Sequence, residues 1–268
     1  MLASGVYASL LILVGVSGCA SLPNGRQWGE DATLTPGWQR VGQSAVHAAI
    51  SPWVWVPLTG AAVTQIDHVD RKISNWGQRK APIFGSQQNA TRWSNNLRSA
   101  SVAADAVSVL MTPSGEFGTD WVVDKLKGYA ADVVAARAAV ESTTGIKSGI
   151  RRVRPNDSGN DSFPSGHAAT SSAYTRLAML NVDEISMSNG ARDVLDVGLQ
   201  IINFGTAWAR VEGGWHYPSD TLVSIAIGNF CAQFFNDSFL GLDSSSTRVS
   251  FAPLRGGGLF TWQITRGR

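Results

Sequence analysis

Between residues 118 and 144 apolar side chains return with the rhythm of an α-helix. Val122, Leu126, Tyr129, Val133, Ala136 and Val140 fall three or four positions apart. A helix over that stretch is about 40 Å long, and its apolar side has to be covered by other elements. The rest of the chain offers them. Segment 92–111 places Val102, Ala106, Val109 and Leu110 at helical spacing. Helical pieces are also expected over 46–66, interrupted by Pro52 and Pro57, and over 67–80, 168–182, 190–211 and 218–239. Pro218 stands at a favoured first-turn position, and Gly145 is placed to end the long helix. The expected fold is mainly α, a bundle of roughly six to eight helices. After Ser244–Thr247 the pattern changes to strict alternation. Phe260, Trp262 and Ile264 fall on one side and Thr261, Gln263 and Thr265 on the other, with Val249 and Phe251 before Gly256–Gly258. That is the pattern of a short C-terminal β-hairpin.

Only 16% of the 268 residues are charged, against roughly 25% in ordinary soluble domains. Much of the chain is therefore interior or lies near a membrane. A formal net charge of +2 argues against a nucleic-acid binder, which would carry a basic face. Residues 6–16 are apolar, too short to span a bilayer but suited to the core of a signal peptide. They run into Val16-Ser17-Gly18-Cys19 and then Ala20, which resembles the lipobox of bacterial lipoproteins. Such a leader is cut before the cysteine, and the cysteine is lipidated. The first ten residues hold no Lys or Arg, a departure from the usual leader. The division expected is a leader over 1–18, a lipid-anchored tether over 19–45, a helical domain over 46–243, and a linker with hairpin over 244–268. Ala20 in place of Asp after Cys19 points, by the same resemblance, to the outer membrane facing the periplasm. Thr221–Asn236 is uncharged over 16 residues, short of the ~20 that a membrane span needs. Cys231 reads as a buried apolar thiol.

Polar residues concentrate at three helix ends. Lys147, Arg151, Arg152 and Arg154 put four cations in eight residues, either a solvated basic turn or an anion site. Ser162-Phe163-Pro164-Ser165-Gly166-His167 runs directly into a helix, whose first turn leaves backbone N–H groups for an anion. A simple capping turn with a histidine in it would read the same way. Arg210 is followed by His216-Tyr217-Pro218-Ser219-Asp220, where Asp220 can accept a hydrogen bond from the imidazole and fix one tautomer. A purely structural His–Asp pair is the alternative there.

Taken together, Lys147-x6-Arg154-Pro155, Pro164-Ser165-Gly166-His167 and Arg210-x5-His216-x3-Asp220 resemble the three-part signature of the type 2 phosphatidic acid phosphatase family. That superfamily also contains class A acid phosphatases and vanadium haloperoxidases. The resemblance implies a helical-bundle phosphatase acting on phosphate monoesters or pyrophosphates, with phosphorylated lipids or small phosphate esters as substrates. It implies that Lys147, Arg154 and Arg210 bind the phosphate together with the Ser165 hydroxyl and the N–H groups of Ser165 and Gly166. His216 would attack phosphorus, Asp220 would orient it, and His167 would serve as acid and then base. No metal or cofactor is implied. Two departures bear on substrate choice: Ala209 stands where the family usually has Ser, and only Asn156 to Phe163 separate the first two motifs. The competing readings are a vanadate-dependent haloperoxidase and a non-catalytic scaffold lipoprotein. A zinc site on His167, His216 and Asp220 would be opposed by three adjacent cations. A serine hydrolase would need a Gly-x-Ser-x-Gly elbow that Ser165 lacks.

Overall fold

The computed structural model describes residues 21–22, 25–241, 247–254 and 257–264. Cys19 lies outside them, as do the leader and the 242–246 linker. The described residues form α1 (Trp38–Ile50), α2 (Pro52–Val63), α3 (Val69–Lys80), α4 (Gln87–Met111), α5 (Thr119–Gly149), α6 (Gly166–Asp183), α7 (Asn189–Glu212) and α8 (Pro218–Phe235). A π-helical turn, Asn236–Leu240, follows α8. Strands β1 (Thr247–Leu254) and β2 (Gly257–Ile264) pair antiparallel, with Val249 opposite Trp262 and Phe251 opposite Phe260.

Helix α6 is the centre, packed by α4, α5, α7 and α8. Its sequence explains why: Ala168, Ala169, Ser171, Ser172 and Ala173 are small enough to be fully buried under four neighbours. Against α8 the approach is closest. A Cβ on Gly228 would lie 2.6 Å from the Ala169 carbonyl oxygen, and Ser172 Oγ donates to the Ile225 carbonyl at 2.9 Å. Larger side chains, such as Leu177 and Ile225, fill the remaining gaps, each worth about 2 kcal/mol of burial. Cys231 is a buried free thiol, and burial pushes its pKa up to about 11.

Several helix ends follow from single residues. The hydroxyls of Ser86, Ser165 and Ser188 cap α4, α6 and α7 by accepting from the N–H three residues on. Pro52 and Pro218 occupy first turns, where a missing N–H costs nothing. Ser51, just before Pro52, is extended, as a residue before proline prefers, and this separates α1 from α2. Helix α1 begins at Trp38, inside the segment expected to be tether. Helix α5 runs through Gly145 to Gly149. Gly145 faces open space, so nothing there forces a left-handed turn, and the helix carries on to Lys147.

The lead-in also differs from a free tether. Trp28 is fully buried, its ring filling the space a side chain on Gly128 would need. Lys125 Nζ lies 5.1 Å from the centre of that ring and donates to the carbonyls of Val109 and Thr112 at 2.7 and 2.5 Å. Leu22 packs with Trp28, Val109 and Leu240. This pole of the bundle is about 30 Å along α5 from Lys147.

Among the described residues no single helix is long and apolar enough to cross a membrane, but α1 and α2 together, bent by 45°, reach that length and composition. In mid-bundle, Asp105 and Asp132 are buried side by side. Asp132 accepts one long bond, 3.4 Å, from Asn181 Nδ2, and neither oxygen of Asp105 has a partner among the described residues.

Candidate active site

The end of the bundle opposite Trp28 gathers the C-termini of α5 and α7 and the N-termini of α6 and α8. It thereby brings all three polar clusters together. Lys147, in the last turn of α5, donates to the Asp161 carbonyl at 2.5 Å. Arg154 Nη2 donates to the Asp161 carboxylate at 2.8 Å. Arg210, in the last turn of α7, reaches Ser94 Oγ at 3.4 Å. The guanidinium carbons of Arg154 and Arg210 lie 4.9 and 4.8 Å from the centre of one ring, Trp215. Two cations on one aromatic ring repel each other, and burial together with Arg154 and Arg98 pulls the Arg210 pKa down to about 10. The Nε atoms of Arg154 and Arg210 are buried without a hydrogen-bond partner among the described residues. Orphaned buried donors of like charge define a place for an anion. Burial also lowers Lys147, with Asp161 opposing the drop and Arg154 adding to it.

His216 is 2% exposed, just before α8. Its Nδ1 sits 2.5 Å from the Ser162 carbonyl oxygen and therefore carries the proton. The Asp220 carboxylate is 3.9 Å from Nδ1, too far for a hydrogen bond. The expected direct contact is thus replaced by an indirect one, because Asp220 is held elsewhere. Its oxygens accept from Ser162 Oγ at 2.5 Å, from the Tyr217 N–H at 2.8 Å and from Arg152 Nη1 at 2.5 Å. Asp220 fixes Ser162, and Ser162 fixes the ring. Nε2 is left with its lone pair and no hydrogen bond among the described residues. Burial and the charges of Arg210 and Lys147 push His216 well below its usual pKa. It is a neutral base facing cations.

His167, in the first turn of α6, places Nε2 2.8 Å from Asn95 Oδ1. The amide oxygen accepts, so Nε2 holds the proton and Nδ1 is the open position. Burial, then Arg210, Arg98 and Lys147, depress this pKa to about 3. Ser94, Asn95 and Arg98 form a wall on α4 that the sequence patterns did not single out. Ser165 departs from the expected phosphate cradle. Its N–H donates to Ser224 Oγ at 2.6 Å and its hydroxyl caps α6 at the Ala168 N–H, so both groups are engaged. Gly166 has no such engagement, and a Cβ there would touch only Thr143 Oγ1, at 3.8 Å.

Arg152, one cation of the basic run in the sequence, has a separate role that the three-part signature does not include. It clamps Asp220 and, through Nη2, Asp70 at 2.5 Å, with its guanidinium carbon 4.0 Å from the Tyr217 ring centre. Burial would lower its pKa, but Asp220 and Asp70 raise it on balance. Asp70 in turn accepts from the Ser219 N–H and hydroxyl at 2.8 and 2.7 Å. Behind this clamp a cleft of about 220 Å³ opens between Thr64, His68, Arg71, Arg152 and Tyr217. Among the described residues no three His, Cys, Asp or Glu side chains converge as metal ligands.

Two histidine-bearing helix starts, three cations and a buried carboxylate at one end of a bundle can be set against known proteins. Residues 128–240 match the PAP2 superfamily model. The matched region runs from mid-α5 through the π-helical turn and contains all three polar clusters. The bundle aligns with the crystal structure of a transmembrane PAP2-type phosphatidylglycerolphosphate phosphatase from Bacillus subtilis at a TM-score of 0.50 and 17% identity. The alignment covers 69% of this chain and 92% of that one, and it establishes likeness of fold. No curated protein matches the sequence.

Proposed function

We propose that the chain is a metal-independent phosphatase for phosphate monoesters or pyrophosphates, acting on lipid phosphates through a phosphohistidine on His216. The observation that carries this reading is the His216 ring: neutral, fixed through Nδ1, with Nε2 unbonded among Lys147, Arg154 and Arg210. A nucleophile held that way, beside orphaned guanidinium donors, suits in-line attack on an anion whose displacement needs mainly positioning and charge stabilisation.

Nε2 donates its lone pair to phosphorus, forming N–P while the P–O bond to the leaving group breaks. The leaving oxygen takes its proton from His167 Nδ1, with Asn95 holding Nε2–H. His167 then accepts a proton from water as the water oxygen attacks phosphorus, N–P breaks, and phosphate leaves. Burial and three cations keep His167 unprotonated in the empty site, but a phosphate dianion offsets those cations and favours the imidazolium. Substrate thus charges its own acid. The chain is further proposed to work outside the cytoplasm on a lipid anchor at Cys19, in the outer membrane.

The test is rapid quenching without acid, using a labelled nitrophenyl phosphate and a lipid phosphate, with and without chelator. Wild type should show chelator-insensitive turnover, and His216→Ala should show neither turnover nor phosphoenzyme. His167→Ala should accumulate phosphoenzyme from the nitrophenyl ester, yet lose on the order of 10²–10⁴-fold on the lipid phosphate, whose leaving group needs the proton. Phosphoenzyme formation by His216→Ala, or a strict divalent-ion requirement, would overturn the mechanism. Halide oxidation with added vanadate would replace it with peroxidase chemistry.

A further inference from the structure

The flank made by α1 and α2 has a composition unlike the rest of the surface. Helix α2, Pro-Trp-Val-Trp-Val-Pro-Leu-Thr-Gly-Ala-Ala-Val, contains no charged residue, yet only Val54, Pro57 and Ala61 of it are buried. Its inner side is anchored to α8: Asn229 Nδ2 donates to the Trp53 carbonyl at 2.6 Å, and Gly60 lies against Leu222. Its outer side presents Trp55, Val56, Leu58 and Val63 to solvent, at 50, 52, 43 and 55% exposure. Helix α1 extends this surface toward the opposite pole, ending in Trp38 at 91%. The charges on α1 are turned inward, where Arg40 and His47 bond Asp237 at 2.9 and 2.6 Å.

The two ends of the flank are chemically distinct. At the α1 end Arg40 meets the π-helical turn, beside Leu240 and Leu22, where the chain arrives from its N-terminal segment. At the α2 end the surface passes Ile66 and meets Arg71 and Lys72, both exposed on α3. The cleft between His68, Arg71 and Tyr217 opens there, backed by the Arg152 clamp that supports Asp220. An apolar face with tryptophans, bordered by cations, matches the interface of an anionic bilayer, where indoles sit at headgroup depth and Lys or Arg meet phosphates.

We infer that the α1–α2 flank docks on the surface of an anionic lipid bilayer. The bundle then lies along the membrane, with the N-terminal segment at one end and the site pole at the other. The inference deepens the reading above and rests on it for the lipid substrate and for the N-terminal tether. Lying down resolves a geometric conflict. The pole that receives the N-terminal segment is about 30 Å from Lys147, so an upright bundle tethered there would hold the site away from the lipid beneath it. A bundle on its flank brings the phosphate of a lipid in the same leaflet to the Arg71 side of the site.

Helix α7 supplies the rival surface, with Val194, Val197 and Ile201 at 72, 59 and 65% exposure and Leu195 and Phe204 exposed beside them. Its stripe exposes no tryptophan and begins among Asp183, Glu184, Asp193 and Asp196, which outnumber the neighbouring Arg192, an acidic end that anionic headgroups repel. It serves as the internal control.

The experiment places a thiol-reactive, environment-sensitive fluorophore on the full chain at Val56→Cys or, for comparison, Ile201→Cys. The unsubstituted chain gives the background. Vesicles of phosphatidylcholine and phosphatidylglycerol with brominated acyl chains are then added. The probe at 56 should lose roughly half its fluorescence or more and shift to the blue, while the probe at 201 stays unchanged. In parallel, Trp55→Ser combined with Val63→Ser should lower turnover of a vesicle-borne lipid phosphate on the order of tenfold and spare a soluble ester. Quenching at 201 instead, equal quenching at both positions, or none at either would overturn the docking. A blue shift at 56 that depends on protein concentration without vesicles would assign the flank to a second copy and overturn it as well. If position 56 alone is quenched while no phosphate of any kind is hydrolysed, the docking stands and the phosphatase reading falls.

Discussion

Asp220 and Asp132 are carboxylates with the same access to water, 0 and 1% exposed, and quite different company. Asp220 accepts from a guanidinium, a hydroxyl and a backbone N–H. Among the described residues Asp132 accepts one long amide bond, beside an Asp105 that accepts none. Burial raises Asp220 to about 6 even so, with Arg152, Ser162 and Tyr217 pulling the other way. It raises Asp132 to about 7, where the Asn181 bond offers little opposition, and with the neighbouring Asp132 charge it lifts Asp105 well above the usual range. At neutral pH the site pole keeps its negative charge, and the middle of the bundle retains a proton. Where a charge supports the proposed nucleophile the fold surrounds it with donors. Where it supports nothing, protonation is the cheaper answer.

Breaking the donor set at Asp220 should have the largest effect. Arg152→Ala leaves Asp70 and Asp220 buried without their cation, a loss of about 3–5 kcal/mol in a urea melt. It also frees Ser162 and the His216 ring, so turnover at saturating substrate should fall on the order of 10²-fold. Arg152→Lys should recover stability better than rate, since an ammonium cannot span both carboxylates in the fork geometry.

Asp132→Asn tests the other half of the comparison, and its sign is opposite. Asp132 titrates at 3.8 when unperturbed and near 7 in the fold. The folded state is therefore penalised progressively as pH rises from about 4 to 7 and fully above that. The variant should be more stable than wild type at pH 8, by at most on the order of 4 kcal/mol. The two should be equal near pH 3, with catalysis unchanged throughout. Urea melts across that range decide it; a gain that grows toward acid pH would mean Asp132 is stabilised as an anion after all.

His167 comes next. Its pKa of about 3 in the empty site should climb by roughly 2 units or more, about 3 kcal/mol, when phosphate or vanadate occupies the cations. Imidazole NMR titration with and without the oxyanion measures this directly. In kinetics the alkaline limb should sit at higher pH in kcat than in kcat/KM, because kcat reports the complex. The smallest effect concerns Asp161, which bonds Lys147 and Arg154 where phosphate would compete for them. Its side chain is 48% exposed, so solvent screens it, and Asp161→Asn should lower KM only about twofold.

The parts of the molecule that were legible in the sequence are those with local causes. Helical periodicity located α4 to α8, Pro218 marked the start of α8, and Lys147, Arg154, His167, Arg210, His216 and Asp220 stand together at one pole of the bundle. The parts that were not legible depend on distant chain segments. Arg152 and Asp70 are 82 positions apart, and only the fold brings the start of α3 over that of α8. His216 takes its fixing bond from a carbonyl 54 residues away, and a carbonyl has no signature in any residue letter. The Asp220 side chain had an obvious partner four residues earlier, but a better set of donors won. Trp28 gave no periodic signal, because its seat is the notch left by Gly128 on another element.

The seam between α6 and α8 has a bearing on protein engineering. Replacing helical glycines by alanine is a standard route to thermostability, gaining up to about 1 kcal/mol where space allows. Gly228 looks like such a target and is the opposite. An alanine methyl there would press the Ala169 carbonyl oxygen at 2.6 Å and the Ala173 nitrogen at 2.8 Å, so the helices would have to part. The start of α6 carries His167, and His216 stands at the start of α8. Spreading the seam therefore widens the gap between the proposed nucleophile and the proposed acid, and displacements near 1 Å cost on the order of 10²-fold in rate. An alanine placed at this position to stabilise the helix would instead lower stability and turnover together, without any change in the residues proposed to perform the chemistry.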